Sequence, residues 1–346
     1  MTDEGLPRTR RPRYKGTHPR RFEEKYKELA PERYADERDK VLARGHTPAG
    51  THVPICVEEI RQALSLRPGT WVLDATLGYG GHTQALLPEV LPEGRWFGLD
   101  VDPVELPRTE ARLRDLGFGV DVLTVRRTNF ASLAALRSEL GRGFDGILAD
   151  LGVSSMQIDT PSRGFTFKVD GPLDLRMNPQ KGQPAAQLLR SLAVDPLQAL
   201  LEANADEPFA AAIAKDLVAV RGTVDTTRQL AARVREVLAA HGVEDPDEVR
   251  ATLQRVFQAL RIAVNDEYGA LDRFLAALPQ ALVPGGRVAI LTFHSGEDRR
   301  VKKAFQEGLR CGLYADIAPE PLRPSPEERR ANPRSAPAKL RWARRS

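Results

Sequence analysis

Cysteine, histidine and long apolar runs are all scarce in this sequence of 346 residues, and each scarcity removes a class of protein. Cys56 and Cys311 are the only cysteines and lie far apart, which disfavours a disulfide-stapled secreted domain. No stretch approaches the roughly 18 consecutive apolar residues of a membrane span. The opening MTDEGLPRTRRPRYKGTHPRR has no apolar block of a secretory leader. Six histidines and two cysteines show no metal-ligand spacing. A cytoplasmic protein with no membrane association and no bound metal is expected. Net charge is only +4, yet residues 1–21 hold seven Lys and Arg against two acids, and residues 321–346 hold eight against two. Basic, proline-rich ends suit a polyanion such as RNA; solubilising tails would account for them equally well.

What is present indicates an α/β protein. With 41% hydrophobic and 28% charged residues a proper core can form, and the length suggests two domains or one domain with an insertion. HVPICVEEIRQAL reads as an amphipathic helix with Val57, Ile60 and Leu64 on one face. WVLDA (71–75), RWFGLD (95–100), DVLTVR (121–126) and FDGILAD (144–150) read as strands separated by helix-length segments. That alternation implies a parallel sheet covered on both faces. A fifth strand, GGRVAILTF (285–293), follows a helix that carries Leu271, Phe274, Leu275, Leu278 and Leu282 and stops at Pro284-Gly285-Gly286. The gap before that helix is too long for one connection, and it contains three Ala/Leu-rich helical stretches. The expected plan is a basic polar extension (1–48), an α/β domain (49–159 and 256–315), an inserted helical substrate-recognition domain (160–255) and a basic C-terminal tail (316–346).

The first strand opens into DATLGYGGHT (74–83). Gly78, Gly80 and Gly81 allow a tight turn that approaches a ligand closely. A dinucleotide turn would want a third glycine where Thr83 stands, and no G-K-[ST] of a phosphate loop follows. The amino-acid end of S-adenosylmethionine needs neither. Asp100, ending the second strand in GLDVDP, suits two ribose hydroxyls and would serve either an adenosyl or a nicotinamide ligand. At the end of the fourth strand, Asp150 begins DLGVSSMQID, where base-amine DNA methylases carry [DNS]-P-P-[YF] instead. The irregular RGFTFKVDGPLDLRMNP (163–179) reads as a loop beside the ligand edge. Its Arg163, Lys168 and Arg176 are candidates for phosphate contact, and Asp170 and Asp174 for amine contact. His294, in FHSGEDR, lies at the carboxyl end of the fifth strand.

Together with VFQALRIAVND and PGGRVAILTFHSGEDRRVKKAF, these motifs occur in one order from about His52 to NPRSAPAKLR. The chain resembles the RsmH (MraW) family, methyltransferases that use S-adenosylmethionine to modify 16S ribosomal RNA. The resemblance implies a class I, Rossmann-like methyltransferase domain with a helical insertion. It also implies methyl transfer to N4 of a decoding-region cytidine, the small ribosomal subunit as partner, and room for a homodimer. Carried over by motif, the cofactor contacts would be Gly80, Gly81, His82, Asp100, Phe130, Asp150 and Gln157. Because the N4 lone pair is conjugated into the ring, acceptors for the amine protons are required. Asp150 or Asp174 would be that acceptor, with Ser154 and His294 as helpers. The chain departs from the family pattern in its long start, in FHSGEDR for FHSLEDR, in EVRATLQR for HPATR, and in RSAPAKLR for RSRSAKLR. A different RNA cytidine as target, or a non-catalytic ribosome-assembly protein, are the alternatives.

Overall fold

The computed structural model describes residues 54–346; the basic extension expected at 1–48 lies outside the described residues. The chain runs through α1 (Val57–Leu64), β1 (Trp71–Asp74), α2 (Gly81–Leu86), β2 (Arg95–Asp100), α3 (Glu105–Asp115), β3 (Leu123–Arg127), α4 (Leu133–Leu140) and β4 (Phe144–Asp150). A short α5 (Ser155–Asp159) leads into an insertion of α6 (Ala185–Ser191), α7 (Val194–Ala205), α8 (Ala210–Ala219), α9 (Thr227–Ala240) and α10 (Pro246–Asn265). Then come α11 (Glu267–Ala281), β5 (Leu282–Thr292), α12 (Ser295–Arg310), β6 (Tyr314–Ile317), α13 (Pro326–Ala331) and β7 (Lys339–Arg345).

The strands form one sheet in the order β3-β2-β1-β4-β5-β7-β6. β1 to β5 are parallel, and β7 runs antiparallel to both its neighbours. Successive strand residues face opposite sides, so neighbours such as Val72 and Leu73, or Trp96 and Phe97, enter different cores. One core gathers Leu73, Phe97 and Ile147 with Leu136, Phe274 and Phe305 from α4, α11 and α12. The other gathers Val72, Trp96 and Leu148 with Ile60, Leu86 and Leu113 from α1, α2 and α3. Helices on both faces make this a doubly wound, Rossmann-like sheet, whose ligand edge is where β1, β2 and β4 end. Among the described residues no helix is long and apolar enough to cross a membrane.

Two expected boundaries move. Residues 316–346 are not a tail, because β7 threads between β5 and β6 and Leu340 and Ala343 are fully buried. Its KLRWARR hides a strand because Arg341 is drawn inward to Asp298, Nε to Oδ1 at 2.6 Å, while Lys339 Nζ holds the other oxygen at 2.8 Å. The insertion boundary at 255 falls inside α10. Val256, Phe257, Ala259 and Leu260 face the insertion's own core with Leu201, Ile213, Leu230 and Val234, so the insertion ends with α10, at the left-handed Asp266.

The polar stretch 163–179 is fastened rather than loose. Leu173 and Leu175 are buried in the insertion core, Asn265 donates through Nδ2 to Leu175 O at 2.7 Å, and Met177 N donates to Asn265 Oδ1 at 2.7 Å. Leu175 adopts a left-handed conformation (φ 64°), a cost of order 1 kcal/mol for a branched residue. That conformation lets Arg176 fold back onto Asp174.

Candidate active site

Gly78 (φ 49°) and Gly80 (φ 66°) turn the chain after β1. A Cβ on Gly80 would stand 2.9 Å from Leu113 Cδ1, so α3 packs directly on the turn. Asp100 clamps the turn from β2: Gly78 N donates to Oδ2 and Asp102 N to Oδ1, each at 2.8 Å. Each oxygen keeps a further lone pair for a ligand hydroxyl. Burial pushes the Asp100 pKa upward. Behind the turn, the buried Asp74 accepts from Thr83 Oγ1 at 2.8 Å, and burial raises its pKa too.

His82 is buried, with Nε2 2.9 Å from Ile55 O. A carbonyl can only accept, so the proton sits on Nε2, and Nδ1 faces Asp150 Oδ2 at 3.7 Å. Burial lowers the His82 pKa, so the ring faces Asp150 neutral. Asp150 ends β4 with its backbone N–H on Thr76 Oγ1 at 2.6 Å. Its side chain is 30% accessible. Burial, and next the Glu297 charge, push its pKa up to about 7.

No Lys or Arg among the described residues pairs with Asp74, Asp100 or Asp150. A pyrophosphate would meet Asp100 and Asp150, neither of them paired with a Lys or Arg among the described residues. A ligand bearing an ammonium and a sulfonium, with ribose hydroxyls for Asp100, matches both the charge and the acceptors. The residues present therefore fit S-adenosylmethionine and oppose a dinucleotide.

The remaining candidates prove more occupied than expected. Ser154 caps α5, with Gln157 N on its Oγ at 3.2 Å and Gln157 Oε1 on its own N–H at 2.9 Å, a reciprocal capping box. Gln157 Nε2 donates to Asp102 Oδ2 at 2.8 Å, so both ends of that amide hold protein groups. Phe130, just after β3, packs edge-on against Phe274 with centroids 5.2 Å apart. The Asp174 carboxylate, expected as an amine acceptor, is gripped by Arg176 through Nε at 2.8 Å and Nη2 at 2.7 Å. Its geometry is that of a loop-shaping ion pair. Arg176 is equally committed, as is Arg163, expected at phosphate. His294 caps α12: its Nδ1 accepts from Glu297 N at 3.4 Å, and its Nε2 lies 3.1 Å from Glu297 Oε1, out of line for a hydrogen bond.

Two acids escaped the sequence reading. Asp102 is buried, and although burial opposes its charge, Arg163 Nη1 at 2.8 Å and Gln157 outweigh it and lower its pKa. Arg163 also donates through Nη2 to Met177 O at 2.7 Å, so Asp102 ties the ribose-side acid to the 163–179 loop. The signal was an acid two residues beyond Asp100, without any sign of its partner. Glu297 is buried against His294 and Arg261, which hold its pKa down despite desolvation. Glu267, His294 and Glu297 lie close enough together to share a cation, but Arg261 already supplies positive charge there, bonding Glu267 at 2.8 and 2.9 Å.

Residues 49–346 match a family described as the MraW methylase family. The chain is 52% identical over 338 residues to ribosomal RNA small subunit methyltransferase H 1 of Lachnoclostridium phytofermentans, covering 96% of this chain and 92% of that one. It is 51% identical to ribosomal RNA small subunit methyltransferase H 2 of Alkaliphilus metalliredigens, covering 97% of each. A relative at 40% identity, ribosomal RNA small subunit methyltransferase H of Heliobacterium modesticaldum, spans 84% of this chain and 97% of its own length. Most of the long start therefore lies within the spans matched by the first two and need not be peculiar to this chain. With its doubly wound sheet and glycine turn, the chain belongs to the MraW methylase family and has the class I methyltransferase fold.

Proposed function

We propose that the chain methylates N4 of a cytidine in small-subunit ribosomal RNA, with Asp150 as the group that accepts the amine proton. S-adenosylmethionine is the cofactor and supplies an electrophilic methyl group. The cytosine amine is a weak nucleophile, and its lone pair becomes available only as the nitrogen pyramidalises. An acceptor held against an amine N–H favours that change; nitrogen would bond the methyl carbon as the carbon–sulfur bond breaks, the pair staying on sulfur to leave S-adenosylhomocysteine, and the amine proton would pass to oxygen. Asp150 is suited to both tasks, since a carboxylate with a pKa of about 7 is a far better base than an ordinary one. Gly80, Gly81, His82 and Asp100 border the cofactor. Ser154, Gln157, Asp174 and His294 shape the segments around the target base, and Phe130 walls the adenine side. The base must leave any stack to reach Asp150.

The observation that carries this reading is a desolvated acid without a Lys or Arg partner at the end of β4, its side chain 30% accessible and facing His82 of the glycine turn. The test is incubation with S-adenosylmethionine and unmodified small ribosomal subunits, followed by RNA digestion and nucleoside identification. N4-methylcytidine is the expected product. A methyl group on another nucleoside would overturn the N4 assignment, and no methylation despite cofactor binding would overturn the enzymatic reading.

A further inference from the structure

Where α12 leaves the ligand edge, a cavity of about 270 Å³ opens between it, the end of α7 and the start of α11. Arg299, Arg300, Lys303 and Ser295 line it from α12, and Asn204 and Asp206 from the insertion. Its shape depends on Gly296, which stands where FHSLEDR has leucine. A Cβ there would lie 1.8 Å from Tyr268 Oη. The tyrosine hydroxyl occupies that space instead and donates to Asn204 O at 3.1 Å, joining the catalytic sheet's α11 to the insertion.

The charges around the cavity are only loosely committed. Arg300 lies over the Tyr268 ring, 4.1 Å from its centroid, and meets Asp272 at 2.6 Å. Arg299 meets Asp206 at 3.1 Å. Both pairs are solvent-exposed, where such contacts contribute about 0–1 kcal/mol and exchange readily. Lys303 has no acidic partner and the Ser295 hydroxyl no hydrogen-bond partner among the described residues. Three cations and a hydroxyl thus face Asp206 alone on the lining, and the N-terminal end of the 16-residue α12 adds its positive pole. The volume is that of roughly nine waters at about 30 Å³ each, room for a phosphate with part of its hydration.

We propose that this cavity holds a backbone phosphate of the RNA whose base is presented at Asp150. The proposal rests on the RNA-methylating reading and adds a strand-positioning contact outside the reacting centre. Lys303 provides the uncommitted charge, Arg299 exchanges Asp206 for the phosphate, and Ser295 donates a hydrogen bond.

The test is titration of the full chain with a short single-stranded RNA at several salt concentrations, read by fluorescence anisotropy. Lys303→Ala should weaken binding about three- to tenfold and reduce the slope of log affinity against log salt by about 0.7, the value for one single-strand phosphate contact. Lys302→Ala removes an equally exposed charge from the same helix but outside the cavity, and should change neither. Gly296→Leu, which displaces the Tyr268 hydroxyl, should weaken binding to a similar degree. Equal losses from Lys302→Ala and Lys303→Ala, or none from Lys303→Ala, would overturn the cavity. So would a parallel loss of S-adenosylmethionine affinity in Lys303→Ala, because the residue would then act through the fold. Methylation of small subunits by the unaltered chain is assayed alongside. Product without a Lys303 effect sinks the phosphate site alone; a Lys303 effect without product sinks the reaction alone.

Discussion

Two sets of buried and half-buried acids sit near the carboxyl edge of one sheet and behave in opposite ways. Asp102, Glu297 and Asp298 are held charged, by Arg163, by His294 with Arg261, and by Arg341 with Lys339. Asp74, Asp100 and Asp150 have no such cations, and burial raises the pKa of each. Asp102 and Asp298 fasten segments that meet from far apart in the chain. The second set keeps a desolvated negative region beside a turn that only glycine can make. An acid with a cationic partner inside the protein builds the structure, whereas Asp100 and Asp150, without one, face outward for a ligand.

The contrast breaks most sharply at Asp150. Asp150→Asn should lower turnover by about 10² to 10⁴ while cofactor affinity, measured by calorimetry, stays within about tenfold. The same variant should melt higher than the parent at pH 8. A folded pKa raised above the unfolded value means that the stability held below about pH 4 is lost as pH climbs towards 7, and asparagine removes that loss. A lower melting temperature would place Asp150 with the structural acids.

Arg163→Met attacks the other set. It leaves Asp102 buried without its cation, at a cost of about 3–5 kcal/mol. Adding Asp102→Asn should recover part of that, as a double-mutant cycle by denaturant unfolding would register. Simple additivity would mean that the 2.8 Å contact contributes nothing of its own.

A smaller, continuous effect is expected from pH. Turnover per KM should rise about tenfold per unit below pH 7 and level off above it, because Asp150 accepts protons only when ionised. A profile flat from pH 5 to 8 would remove Asp150 as the base. The mildest effect belongs to Asp174→Asn, where turnover should stay within about threefold, with a stability loss near 1 kcal/mol from the half-buried Arg176 pair. A thousandfold fall would return Asp174 to the reacting amine.

The parallel strands could be read in advance because burial on both faces turns them into short continuous apolar runs, and WVLD, RWFGLD and FDGILAD all do this. The glycine turn and Asp100 were legible because spacing alone defines them, and the insertion because its helices repeat Ala and Leu every turn. β7 was hidden for the opposite reason: a strand with Arg341 facing inward reads as a basic tail until Asp298, 43 residues earlier, is seen beside it. The pairing of Asp174 with Arg176 could not be read in advance because it depends on Leu175 taking a backbone conformation that leucine does not advertise. The end of the insertion was missed because α10 runs through the expected boundary at 255 without a break and stops only at Asp266.

The neighbouring strands β4 and β5 are separated in the chain by the whole insertion, about 130 residues between Asp150 and Leu282. Closing so long a loop as flexible chain would be slow, since its entropy must be lost before any strand pairing rewards it. The insertion has its own apolar core, and once collapsed it draws the two strand ends together as a short, stiff tether. The expected order of assembly is therefore the insertion first and the β4–β5 pairing after it. Leu260→Ala, far from the sheet in sequence pattern, should slow the appearance of the β4–β5 pairing in refolding more than it speeds the loss of that pairing on unfolding.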